Sequence, residues 1–316
     1  MSLVRGASPE TLRRRAEMLA RARAFFAARG VLEVETPALS PAAPSDPALE
    51  SIAAEVASVG GTHYLPTSPE FAMKRLIADG LGDIYQICRV FRDGEIGRWH
   101  QPEFTMLEWY RLGLDDAALM DEVEALVRAV AGGEPARWPA RRITYRDAFV
   151  DALGVDPLTN PRDAAPRLAA LGIDVPPGLD DDALLDLAFV AAVAPSWPSA
   201  AWTFVHDYPA SQAALARLKP GEPPVAARFE LFAGTIELAN GFAELTDAAE
   251  QRRRFEADQA ERRRRGLALR PIDEAFLAAL DQGLPDCAGV ALGFDRLVAV
   301  ALGLQSVAET VALAHE

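Results

Sequence analysis

The chain has 316 residues, 50% hydrophobic and 25% charged, with a formal net charge of −14. Because nucleic-acid affinity rests on Lys and Arg neutralising phosphates, that balance disfavours a polynucleotide partner and leaves a nucleotide ligand small and locally held. No apolar run is long enough to span a bilayer, and Arg13, Arg14 and Arg15 interrupt any secretory-signal core. Cys88 and Cys287 alone give neither a disulfide framework nor a zinc site. The expected setting is the cytoplasm, with no membrane partner.

Ser8-Pro9-Glu10 reads as an N-cap, a first-turn proline and a dipole-favoured acid, opening a helix to Arg29 that Gly30 ends. "VLEVETP" (31–37) predicts a strand stopped by its proline. A hairpin is expected around Gly60-Gly61. Ser68-Pro69-Glu70 repeats the cap signature before the helix "EFAMKRLIADG". "DIYQICRVFR" and "FTMLEWYR" read as strands joined by a charged loop. From Asp115 to about Val130, apolar residues at helical spacing predict a helix. Residues 131–200, rich in Pro, Ala and Asp, read as a helical insertion. Strands resume at "WTFVHDYP", "RFELFA" and "TIELANGFAEL". A polar helix over 246–266 follows, its Arg262–Arg265 run balanced by acids at helical spacing and expected to form a solvated face. "DCAGVALGFDRLVAVALG" predicts a small-residue strand, a glycine turn and an apolar helix.

Chemistry-bearing residues gather in three stretches: 68–70, 92–110, and 237–244 with 293–296. One antiparallel sheet can bring them together. Arg296, in a first helical turn, has the address of a phosphate ligand, and the Arg92 guanidinium matches phosphate geometry. Glu237 and Glu244 offer oxygens to a hard cation. Together these describe a site for a Mg²⁺-bound nucleoside triphosphate, without the glycine-rich lysine loop of P-loop enzymes. Taken singly, Arg296 reads equally as a helix-end salt bridge, and His100 as a structural hydrogen-bond donor.

"FRDGEIGRWHQPEFTMLEWY" closely resembles motif 2 of the class II aminoacyl-tRNA synthetases of the lysyl type. "GVALGFDRLVAV" resembles their motif 3, and "FFAARGVLEVETPALS" their motif 1, whose proline lies at a dimer interface. "TSPEFAMKRL" and "ELANGFAELTDA" match further core segments. The resemblance implies an α+β fold in which one catalytic domain, an antiparallel sheet flanked by helices, spans residues 1–316. It also implies a homodimer. Within the superfamily the chain is most similar to paralogues that lysylate elongation factor P. The first helix begins near residue 9, leaving no room for an anticodon-binding domain; with the acidic balance, this predicts that tRNA is not an acceptor.

By the same resemblance, Arg92 and Arg296 are the catalytic arginines, gripping the α- and γ-phosphates of ATP. The nucleotide site would comprise Arg92, Asp93, Gly94, His100, Gln101, Phe104, Glu237, Leu238, Gly293 and Arg296, with Phe104 stacking on adenine. Glu237 and Glu244 would hold Mg²⁺. Ser68, Pro69, Glu70, Glu108, Tyr110 and Glu244 would bind lysine or (R)-β-lysine. Ala291 stands where true lysyl synthetases carry glycine, which favours the β-isomer. The family reads Arg-Asn-Glu-Glu where this chain has Arg92-Asp93-Gly94-Glu95, so either Glu95 or a backbone carbonyl takes over adenine recognition. Two other readings fit the residues: an amino-acid adenylating enzyme with a different acceptor, and a non-catalytic paralogue that binds a partner.

Overall fold

A computed structural model describes residues 3–315. Its strands, in chain order, are β1 (Leu3–Arg5), β2 (Leu32–Glu33), β3 (Ala53–Glu55), β4 (Thr62–Tyr64), β5 (Ile84–Phe91), β6 (Glu103–Leu112) and β7 (Ala140–Thr144). They continue with β8 (Trp202–Pro209), β9 (Leu218–Lys219), β10 (Val225–Ala233), β11 (Ile236–Ala243), β12 (Cys287–Gly293) and β13 (Leu313–His315). One large sheet has the order β2-β5-β6-β12-β11-β10-β8-β7, with β9 beside β10. Its inner pairings are antiparallel. The edges differ from the purely antiparallel expectation, because β2 runs parallel to β5 and β7 parallel to β8. Parallel neighbours need long crossovers, and the helical segments 70–78 and 145–196 supply them.

Helix α1 (Pro9–Ala27) starts where the cap predicts, with the Ser8 hydroxyl accepting from the Thr11 N–H at 3.0 Å. Of the strand expected over 31–37, only Leu32–Glu33 pairs regularly, at the sheet edge. The Gly60-Gly61 hairpin forms as β3–β4, both glycines at positive φ. Helix α2 (Glu70–Ala78) follows, but its N-cap is Pro69; the Ser68 hydroxyl instead accepts the Glu70 N–H at 3.0 Å. Asp115 caps α3 (Asp116–Ala131). Residues 131–200 contain α4 (Tyr145–Leu153), α5 (Ala164–Ala170) and α6 (Asp181–Ala188), and also β7, which extends the main sheet.

Strand alternation decides where the core ends and the site begins. Leu107 and Trp109 of β6, with Ala288, Val290 and Leu292 of β12, pack under α1 and α3. The intervening positions, Met106 on β6 and Ala291 and Gly293 on β12, face a cavity on the other side. On that side Phe149, Phe189, Trp197 and Phe232 form one apolar cluster, and Met73, Ile77, Phe255 and Phe276 another.

Helix α7 (Ala248–Arg264) corrects one expectation. Arg263, Arg264 and Arg265 are exposed, but Arg262 is 0% exposed. Its guanidinium donates to the carbonyls of Ala268 (2.7 Å) and Asp46 (3.0 Å) and to Glu50 Oε2 (2.6 Å), clamping the segment 41–50 over the cavity. The helical periodicity was right, but the segment arriving from 200 residues away could not be seen in it. Removing one partner of a buried ion pair costs about 3 kcal/mol or more. Arg262→Met should therefore lower stability by roughly that amount in urea unfolding, whereas Arg263→Met should change it little.

Candidate active site

The cavity has a volume of about 670 Å³ and lies on the sheet beneath the β5–β6 loop. At one end it is lined by Arg92, His100, Phe104, Glu237, Gly293 and Arg296. Helix α8 (Glu274–Gly283) precedes β12, and Gly293 at the end of β12 caps α9 (Phe294–Leu302) and places Arg296 in its first turn. Arg296 is held by the Trp99 carbonyl (3.1 Å), the Glu237 carbonyl (2.9 Å) and His100 Nε2 (2.8 Å). Burial, then the Arg296 charge, lowers the His100 pKa, so the neutral ring accepts from the guanidinium. Arg92 lies 5.2 Å from the Phe104 ring centroid and 3.8 Å from Glu95. Its buried Nε has no hydrogen-bond partner. A buried donor left unpaired costs about 1–3 kcal/mol, which an anionic ligand would relieve.

Three expected nucleotide contacts are placed differently. Asp93 and Gly94 are off the cavity wall: the Asp93 carboxylate accepts the Gly94 N–H (2.9 Å), and the Asp93 N–H donates to the Glu50 carbonyl. Gly94 has φ +76°, a conformation that a glutamate would adopt only with strain, while Glu95 lines the cavity. Gln101 lines it too, but its Oε1 accepts the His315 N–H at 2.9 Å, tying the loop to β13. Leu238 and Pro69 sit on the wall as expected.

At the other end Ser68, Pro69 and Glu70 line the wall, whereas the expected substrate residues Glu108, Tyr110 and Glu244 lie behind it. Glu108 is 2% exposed and accepts from Ser68 Oγ and Tyr110 Oη, both at 2.7 Å. Burial, then neighbouring Glu70, pushes its carboxyl up to about 8. Burial, then the same carboxylates, keeps the Tyr110 phenol well above its usual range, so it remains a neutral donor. Glu70 lines the cavity. Glu244 is 1% exposed, its Oε2 lying 2.6 Å from Lys74 Nζ. Gly289 is required beneath them, because a Cβ there would lie 2.2 Å from the Tyr110 ring and 2.6 Å from Glu244 Oε1.

The expected Glu237–Glu244 cation site does not form. Seven residues along β11 separate the two by roughly 23 Å at strand rise, and Glu244 is committed to Lys74 behind the cavity wall. The carboxylate near Glu237 is Glu230 on β10, which also lines the cavity and already accepts from Tyr208 Oη at 2.7 Å and from the Arg228 guanidinium. Burial raises the Glu230 carboxyl, and Glu237 adds to that shift. Two neighbouring carboxylates on the cavity wall beside the arginines fit a hard divalent cation, which takes one or two carboxylates and completes its shell with phosphates and water. Among the described residues no cluster of three or more metal-ligating side chains exists.

Sequence reasoning missed Lys74 and Glu230. The i,i+4 spacing of Glu70 and Lys74 was the available signal for the first; the second is visible only once β10 is laid against β11. A family model for class II tRNA synthetases of the D, K and N type matches residues 1–316. The chain belongs to that family and is a ligase of its kind. Elongation factor P–(R)-beta-lysine ligase of Vibrio cholerae serotype O1 is 49% identical over 304 residues, covering 94% of this chain and 93% of that protein. The protein of the same name from Salmonella typhi is 48% identical over 316 residues, covering 97% and 95%.

An ammonium group arriving beside Glu108 favours its ionised form, so below about pH 8 binding should expel the carboxyl proton. Titration calorimetry of a diamino acid in buffers of different ionisation enthalpy should read that release near neutrality. It should fade at higher pH, where the carboxyl is already ionised. Glu108→Gln should lower the count by about one proton.

Proposed function

We propose that the chain uses ATP to adenylate a lysine-type amino acid, (R)-β-lysine by preference, and transfers it to a lysine side chain of elongation factor P. The observation that carries this reading is that one cavity runs from Arg92 and Arg296 to Ser68 and Glu70, with Glu108 hydrogen-bonded to Ser68 beside it. The activity for which the relatives are named supplies the acceptor and the isomer. Glu70 and Glu108 receive the two ammonium groups, with Ser68 and Tyr110 orienting Glu108. Phe104 stacks on adenine, and Glu95 takes over the reading of its edge. Arg92 holds the α-phosphate, so that the amino acid's carboxylate oxygen attacks phosphorus and pyrophosphate leaves. Arg296, kept cationic beside a neutral His100, holds the γ-phosphate. The acceptor amine then attacks the carbonyl carbon, forming an amide and releasing AMP. Mg²⁺ would be held by Glu230 and Glu237 and would offset the phosphate charge. Catalysis is positioning and electrostatics throughout.

We read the described residues as one catalytic unit with a helical insertion at about 131–200, acting in the cytoplasm as a homodimer through residues 25–40. Leu32 and Leu39 of that segment are 52% and 42% exposed, which suits an interface. Among the described residues no helix is long and apolar enough to cross a membrane. The net charge of −14 disfavours tRNA as acceptor.

The test is amino-acid-dependent ATP–pyrophosphate exchange, followed by mass analysis of elongation factor P for one added lysyl group. Arg92→Ala should reduce exchange roughly 10²–10³-fold; near-normal exchange would remove Arg92 from the mechanism.

Ala291 lines the cavity, directly across β12 from Glu108 on β6 and Asn240 on β11. Its methyl occupies space that an α-ammonium group would enter, whereas a β-ammonium sits one carbon further along. One methyl discriminates by roughly 10- to 200-fold. Ala291→Gly should narrow or reverse the preference by improving α-lysine activation. Equal use of both isomers by the wild type, unchanged in the variant, would defeat the steric argument.

A further inference from the structure

Lys74 is 1% exposed, rare for a lysine unless paired. Its Nζ lies 2.5 Å from Glu70 Oε1 and 2.6 Å from Glu244 Oε2. The stem leaves α2 one turn after Glu70, and the ammonium sits about 6 Å from the rings of Tyr110 and Phe276. Glu70 faces the cavity, while Glu108 stands beside it. Three carboxylates thus cluster at this end of the cavity, Glu70 on its wall and Glu108 and Glu244 just behind it, with the Lys74 ammonium between Glu70 and Glu244.

We propose that Lys74 is a specificity-determining residue that stands in for a substrate ammonium, neutralising one of the three pocket carboxylates so that the two remaining negative charges select an amino acid with two ammonium groups. This deepens the reading of the cavity as an amino-acid site and rests on it. With Glu70, Glu108 and Glu244 ionised and Lys74 cationic, the pocket carries a net charge of −2. A diammonium substrate matches that charge, whereas a monoamine leaves one carboxylate unpaired and buried. Without Lys74, three carboxylates would share one desolvated space, and they would take up protons instead of ligand.

The groups facing this ammonium point the same way. Burial pulls the Lys74 pKa down, but Glu244 and Glu70 outweigh it and raise it above the ordinary lysine value, so the cation persists at working pH. Lys74 in turn lowers Glu108 and Glu244. Tyr110 stays neutral, Arg217 acts on Glu244 from the far side, and burial holds the neighbouring Cys287 thiol up and uncharged.

The experiment is pyrophosphate exchange as a function of pH, comparing wild type with Lys74→Met, Lys74→Arg and Lys74→Ala. Lys74→Met should raise KM for the diamino acid at least tenfold near neutrality and move the alkaline fall in KM upward by a unit or more, with a smaller change in kcat. Lys74→Arg should keep the wild-type profile position. In Lys74→Ala, propylammonium, which restores the deleted atoms and charge, should lower KM, while propan-1-ol should not. An unmoved KM–pH profile in Lys74→Met, or equal rescue by the alcohol, would overturn the proposal. If Lys74→Ala does not fold, Met against Arg still decides. Failure of the wild type to activate any amino acid would instead strike the reading of the site.

Discussion

The pairing of β6 with β12 is the constraint on which the molecule depends. Its register sets Ala291 against Glu108 and Gly289 against Tyr110. Because side chains alternate across a strand, every second residue goes to the core under α1 and α3, and the others go to the cavity. A slip of one residue would put Trp109, now 0% exposed, into the site and Glu108 into hydrocarbon. Core packing and the lining of the cavity are thus two faces of one ladder. A second anchor ties three distant segments to it: Arg15 of α1 lies 2.7 Å from Asp295 Oδ1 and donates to Thr105 Oγ1, while Asp295 Oδ2 accepts the Thr105 N–H.

Charge is distributed so that an acidic protein can hold a polyanion. The cavity keeps two arginines at one end, one of them braced by a neutral histidine, and a carboxylate set at the other. Much of the remaining arginine is spent in local pairs on helix faces, such as Arg264 and Arg265 with Glu261. Exposed pairs of that kind add little stability.

Local pattern was legible in the sequence; long-range partnership was not. The caps at Ser8 and Asp115 have sequence signatures and formed as read. So did the hairpin at Gly60-Gly61 and the strands on either side of the charged loop. The motifs singled out Arg92, His100, Phe104 and Arg296, which line one cavity, and Glu108, which lies beside it. What failed was any inference that needed a third dimension. Glu237 and Glu244 look like a pair in the sequence and lie far apart along β11, while Glu230, the carboxylate near Glu237, belongs to β10 and pairs in register with Asn240. Arg262 looks like its three neighbours until Glu50 and the carbonyls of Asp46 and Ala268 enclose it. Gly94 read as a missing glutamate, yet its φ of +76° makes glycine the natural occupant.

The floor strand carries a consequence for how this scaffold diversifies. Three positions of β12 face the ligand side: 289, 291 and 293. At 289 a single added methyl would collide with both an aromatic ring and a carboxylate, whereas at 293 its nearest neighbour would be the Arg296 side chain at an ordinary 3.6 Å. Position 291 already carries a methyl. Change on this floor therefore has a narrow corridor: 289 has no room for a side chain, 293 adjusts the seat of an arginine, and 291 trades volume directly against the cavity. Reshaping the cavity would gain more from randomising that one position together with its cross-strand neighbours than from diversifying the whole floor.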